Sequence, residues 1–141
     1  KIMWLYEGTE FTEDKIGNHV GYVYLITNKL TGRKYIGKKL FFFAKTRTIK
    51  GKKKKEKAMS DWPIYWSSSE ELKADVKLHG EQNFTREILH LCPNKGTLSY
   101  MEMKEQIMND VLLKPDEWYN AFVGGKIHRK HVKMTAEAKK L

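Results

Sequence analysis

The side chains in this sequence best suited to chemistry are Tyr22, Tyr24 and Tyr35, with Lys38 and Lys39 directly after Gly37. A lysine beside a phenol favours the phenolate, because an opposite charge lowers the pKa of an acid. A phenolate can take a proton from water. Tyrosines of this kind also serve as core residues or cross-strand pairs, and both readings stay open on these residues alone. Other reactive types are sparse. The single Cys92 follows an apolar run, Ile88, Leu89 and Leu91, so it reads as core rather than nucleophile. His128 and His131 have no Cys or carboxylate partner at ligand spacing, which argues against zinc and for contact with phosphate or solvent. His79 reads as a helix-end residue.

The phenols need strands to bring them together. Gly21 to Thr27 is rich in β-branched and aromatic residues and reads as a strand. Asn28 to Gly32 supplies turn chemistry, and Lys34 to Gly37 resumes a strand, giving an antiparallel hairpin. Side chains alternate along a strand and paired strands lie about 5 Å apart, so Tyr35 can neighbour Tyr22 or Tyr24. Beyond the hairpin, about 38–61 reads as a basic insertion whose run Lys50 to Lys57 is a surface loop. Trp62 to Trp66 reads as an aromatic loop folded on the core. Ser68 and Glu71 have capping-box spacing for a helix that Gly80 stops. Phe84 to Leu91 reads as a third strand. A second helix begins near Thr97 and runs to about Leu113, with Tyr100, Met101, Ile107, Met108 and Val111 as its apolar side. The expected class is α+β, a small three-stranded antiparallel sheet flanked by helices. The expected organisation is an irregular arm over 1–20, a domain over 21–125, and a basic tail able to form a helix over 126–141.

Composition limits what such a domain can meet. The 141 residues carry a formal net charge of +10, enough for a strong positive field. No apolar stretch is long enough to cross a bilayer. The densest basic run has no apolar face of the kind that holds a helix on a membrane surface. Nucleic acid is the preferred polyanion. One cysteine without a CxxC partner suits a reducing, cytoplasmic setting.

Tyr22-Val23-Tyr24, ten further residues, then Tyr35-Ile36-Gly37 resembles the signature of the GIY-YIG nucleases. Three more stretches follow in that family's order. Trp66-Ser67-Ser68-Ser69 with Leu72 and Gly80-Glu81-Gln82-Asn83-Phe84 resembles the helix and turn before the third strand. Leu98-Ser99-Tyr100-Met101-Glu102 resembles the helix bearing a metal-binding glutamate, and Tyr119-Asn120 resembles the closing pair. The resemblance spans residues 21 to about 120. It is strongest to the Seg-like homing endonucleases of tailed phages.

That resemblance implies a metal-dependent endonuclease acting on double-stranded DNA, in the cytoplasm of a bacterial host if phage-encoded. Tyr24 and Tyr35 would shape the site, one as general base, with Lys38 keeping a tyrosine deprotonated. Glu102, or alternatively Glu105, would hold Mg²⁺ or Mn²⁺, since a single carboxylate with waters and phosphate oxygens suits such an ion. Asn120 would orient the site. Lys45 or Arg47 would fill the place of the family's phosphate-binding arginine. Lys39, Lys50, Lys52, Lys53, Lys54, Lys55, Arg129 and Lys130 would contact DNA phosphates. One site cuts one strand, so the protein would act as a monomer or as a dimer formed on DNA. A non-catalytic DNA-binding module on the same scaffold is the alternative. An RNA-binding role ranks last, because no RNP-like aromatic pattern is present.

Overall fold

The computed structural model describes residues 2–133. Its elements are β1 (Trp4–Tyr6), β2 (Thr9–Glu10), β3 (Gly21–Asn28), β4 (Lys34–Leu40), β5 (Phe42–Ile49), β6 (Lys52–Met59), α1 (Glu70–His79), β7 (Phe84–Cys92), α2 (Lys95–Met108), β8 (Phe122–Val123) and β9 (Ile127–His128). The class is α+β, as expected, but the main sheet has five strands rather than three, in the order β2-β1-β7-β3-β4. The extra strands come from the N-terminal arm. Trp4 to Tyr6 pairs in parallel with Arg86 to Ile88, and β2 closes the edge. Strands this short show too little alternation to be read from sequence.

What fixes the arm is burial. Trp4 sits against the rings of Tyr22 and Tyr24 at 4.9 and 5.3 Å, and its indole N–H donates to the carbonyl of Trp62. Arg86 of β7 lies between Trp4 and Trp66. Its guanidinium is 4.7 and 4.5 Å from their rings. It donates to the carbonyls of Ile2, Pro63 and Tyr65, tying the arm to the aromatic loop. Burial lowers its pKa to about 10, so it stays charged at neutral pH.

Alternation along β3 feeds two apolar clusters. Tyr22, Tyr24 and Ile26 join Trp4, Phe41 and Trp62, covered by Leu72 and Val76 of α1. Val23 joins Ile36, Cys92 and Leu98, the last from α2. The register shifts between Val23 and Tyr24 where β3 meets β7, a bulge that gives β7 one extra residue, Leu89.

Residues 42–59 form no loop. Strands β5 and β6 pair over their full length as a separate ribbon, from Phe42 opposite Met59 to Ile49 opposite Lys52. Lys50 and Gly51 turn it, both with positive φ, as a two-residue hairpin of this twist requires. The ribbon escapes a pattern reading because it is polar on both faces. Residues 126–133 contribute β9 and a single 3₁₀ turn over Arg129–His131, and the rest of the expected helical tail lies outside the described residues.

Candidate functional site

Strand β4 is one edge of the sheet, and an edge strand leaves backbone groups to be satisfied. The side-chain amide of Asn120 does this for Ile36. Its oxygen accepts the Ile36 N–H at 3.1 Å and its nitrogen donates to the Ile36 carbonyl at 2.8 Å. Gln106 of α2 adds a second donor to that carbonyl at 2.9 Å. Ile36 is thereby held with its neighbours Tyr35 and Gly37 in fixed directions.

Opposite Gly37 on β3 stands Tyr24. A Cβ at Gly37 would come within 2.4 Å of the Tyr24 hydroxyl, so only glycine lets that phenol lie across β4. The Tyr24 and Tyr35 rings are 6.1 Å apart. Tyr24 rather than Tyr22 is thus the partner of Tyr35. Both Tyr22 and Tyr24 are fully buried, and only Tyr35 is part-exposed. The Tyr35 hydroxyl meets Ser68 Oγ at 3.3 Å. Ser68 is free to do this because the α1 N-cap is Ser69, one residue later than expected, accepting from the Leu72 N–H. Ser67 takes a positive φ of 83° just before it, and its Oγ accepts from the Ser69 N–H.

The carboxylate arrives from α2. Its inward residues are Leu98, Glu102 and Gln106, spaced by four, while Tyr100, Ile107 and Met108 face solvent. Of the expected apolar side, Tyr100, Ile107 and Met108 point outward, Met101 packs against the core and Val111, beyond the helix end, is buried, so a partly polar stripe of α2 faces the sheet. Pattern reading assumes that the apolar face is the buried one, and α2 breaks that assumption where it meets the cleft. Lys38 Nζ lies 4.0 Å from Glu102 Oε1 and donates to Ser99 Oγ at 2.9 Å.

Tyr24, Tyr35, Lys38, Ser68 and Glu102 line one cleft of about 500 Å³, together with Glu70, Glu71 and Tyr119. Burial raises the Glu102 pKa, with Lys38, Gln106 and a backbone contact pulling the other way. Burial also raises Tyr35, opposed by the Ser68 hydrogen bond and reinforced by the negative charge of Glu102. Tyr24 is raised well above the usual phenol value, again by burial first. The phenols are therefore neutral here. In this arrangement the Lys38 ammonium faces Glu102.

Other sequence-predicted residues fall elsewhere. Glu105 points away from the cleft and pairs with His90 at 2.6 Å. Lys45 and Arg47 sit on the β5–β6 ribbon, Arg47 Nε being 3.6 Å from Glu56, and neither lines the cleft. Lys39 pairs with Asp61 at 2.6 Å and lies over the Tyr65 ring. Arg129 donates to the Asn120 carbonyl, which makes it a brace of the Asn120 segment rather than an open phosphate contact. Lys50, Lys52, Lys53, Lys54, Lys55 and Lys130 are exposed. Cys92 is buried and free. Reading the sequence missed Ser68, Ser99 and Gln106. The serine run was a visible signal, but its use as a cap obscured it. Arg33 was missed too. It pairs with Glu71 at 2.7 Å and lies over the Tyr119 ring, both partners being cleft residues.

Among the described residues no helix is long and apolar enough to cross a membrane. Comparison with curated proteins and with solved structures gave no match. A family model described as "Putative endonuclease segE, GIY-YIG domain" matches residues 4–123, which include every strand and helix that builds the cleft. With that match over most of its length, the chain belongs to the GIY-YIG nuclease family, of the SegE endonuclease type.

Proposed function

We propose that this protein is a metal-dependent endonuclease that hydrolyses phosphodiester bonds in double-stranded DNA, encoded by a phage and acting as a monomer or as a dimer formed on DNA. The observation that carries the reading is the meeting of Tyr35, Lys38 and buried Glu102 in one cleft of a chain with a net charge of +10. The donor set suits Mg²⁺ or Mn²⁺. Among the described residues no three His, Cys, Asp or Glu side chains form an all-protein cage. A buried carboxylate with one cation 4.0 Å away is under-compensated, and an ion that keeps several waters needs only one such ligand. Bound at Glu102, the divalent ion would withdraw charge from the scissile phosphate and the departing 3′ oxygen.

The chain's own groups do the rest. Tyr35 is the phenol with access to solvent and is the proton acceptor for the attacking water. Because its pKa is raised, it needs a nearby positive charge or higher pH to act. Lys38 is the cation in the cleft lining that can supply that charge. Its hold on Glu102 is long, and its side chain is 39% exposed, so it can move. Tyr24 forms the floor and sets the position of Tyr35, while Asn120 and Gln106 fix the backbone between them.

One observation favours a second reading, DNA binding without cutting: among the described residues no arginine lines the cleft. Plasmid nicking with Mg²⁺ and an EDTA control separates the two. Cutting that needs the metal is expected. Absence of cutting by the wild type, with intact DNA binding, would leave the second reading.

A further inference from the structure

Residues 45–57 hold eight cations and one carboxylate, Glu56, and so carry most of the chain's positive surplus. The pairing distributes them over both faces of the ribbon. Thr46, Thr48, Lys53, Lys55 and Lys57 share one face, and Lys45, Arg47, Lys52 and Lys54 share the other with Glu56. A flat anionic surface can neutralise only one face of such a ribbon. Two phosphate-lined walls neutralise both.

We propose that the β5–β6 ribbon inserts into the major groove of duplex DNA and so places one strand against the Tyr35–Glu102 cleft; this rests on the reading of that cleft as a DNA-cutting site. Strands of this length reach roughly 25 Å from root to turn. The major groove of B-DNA is about 12 Å wide and admits a two-stranded ribbon. The corresponding groove of A-form RNA is deep and narrow and does not. The ribbon also connects with the cleft. A groove of about 410 Å³ shares Lys38 with the cleft, passes Ser99 and Lys95, and reaches Phe43 at the ribbon's root. Phe42 packs on the core there, and the Ser60 N–H and Oγ bond the carbonyls of Phe41 and Leu40, so the root is anchored. Arg47 is the ribbon's only guanidinium, the group that can bond guanine O6 and N7 together. The ribbon then does more than neutralise phosphate: it contributes to where the cut falls.

Binding measured in EDTA by fluorescence anisotropy, on a labelled 30-base-pair DNA duplex across a salt series, tests this without any need for cutting. The variant Lys52→Gln/Lys53→Gln/Lys54→Gln/Lys55→Gln changes only exposed side chains, and its melting temperature checks its fold. A second variant joins Ala44 to Lys57, which already face each other, through Asn-Gly. Loss of four phosphate contacts should lower the slope of log K against log salt by about 3 to 4. Methylation of guanine N7 in the duplex should weaken wild-type binding at least tenfold. Duplex RNA of the same sequence should bind at least tenfold more weakly than DNA. An unchanged salt slope in both variants, equal binding of N7-methylated DNA, or equal binding of RNA overturns the proposal. A wild type that shows the expected binding but fails to nick with Mg²⁺ refutes the cutting reading alone. A wild type that nicks while the variants keep its salt slope refutes the ribbon alone.

Discussion

Replacing Glu102 by Gln should destroy cutting and make the protein more stable. At the 4.0 Å separation from Lys38, attraction at an effective permittivity near 20 is worth about 4 kcal/mol. Taking a carboxylate out of water costs several kcal/mol. The raised pKa says that burial wins. Glutamine keeps the shape and removes the charge, and Lys38 is exposed enough to regain water. A gain of about 1 kcal/mol, at the low end for replacing a buried ion pair, corresponds to roughly 3 °C in Tm for a domain of this size. The size of the gain depends on pH. Below the unfolded carboxyl value, about 4.3, Glu102 is protonated in both states and the variant has no advantage. As pH rises through the raised folded value the wild type loses stability, and above it the gap is constant. Thermal denaturation in EDTA at pH 4 and pH 8 measures this, and nicking with Mg²⁺ at pH 8 should fall at least about 100-fold. A variant less stable than wild type at pH 8, or equally stabilised at both pH values, would refute the buried-charge argument. Undiminished nicking would refute the metal assignment.

Three further outcomes follow from the same geometry. Tyr35→Phe should cut about 10²- to 10⁴-fold more slowly with little change in Tm; wild-type rates should climb with pH because the phenol is raised, and the variant's pH profile should be flat. Gly37→Ala should cost about 1–3 kcal/mol, since the new methyl meets the Tyr24 hydroxyl; urea denaturation reads this, and an unchanged midpoint contradicts it. Glu105→Gln should nick within a few-fold of wild type, because Glu105 faces His90 and not the cleft; a loss as deep as that of the Glu102 variant contradicts that placement.

The parts of this fold that could be read from the sequence obey local rules. Strand β3 declared itself by β-branched and aromatic residues, Gly80 by ending α1 with a positive φ, and a neighbour for Tyr35 on β3, either Tyr22 or Tyr24, by the twofold period of a hairpin. The parts that could not depend on partners distant in sequence. Asn120 bonds Ile36 across 84 residues, and nothing beside Asn120 signals that contact. The ribbon has no apolar face to alternate, and Lys is a poor strand former, so its lysines resemble a solvated loop. Helix α2 turns Gln106 inward beside Glu102, and of the two only the glutamate carried a signal, through the stretch Leu98 to Glu102. The β7 bulge puts Leu89 and His90 on the side of α2, where His90 meets Glu105, and the sequence around them shows only weakened alternation.

The amide clasp on Ile36 has a consequence for the order of events during synthesis. Its donor and acceptor come from residue 120, so a nascent chain already holding both tyrosines and Glu102 still presents an uncovered strand at the ribosome. Until Tyr119 and Asn120 emerge, the reactive groups have no rigid frame, and the open edge is free to pair with a neighbour. On the proposed function, an unfinished copy would leave nearby DNA uncut while remaining prone to aggregate, and termination before Tyr119 should yield insoluble fragments rather than a weakened cutter.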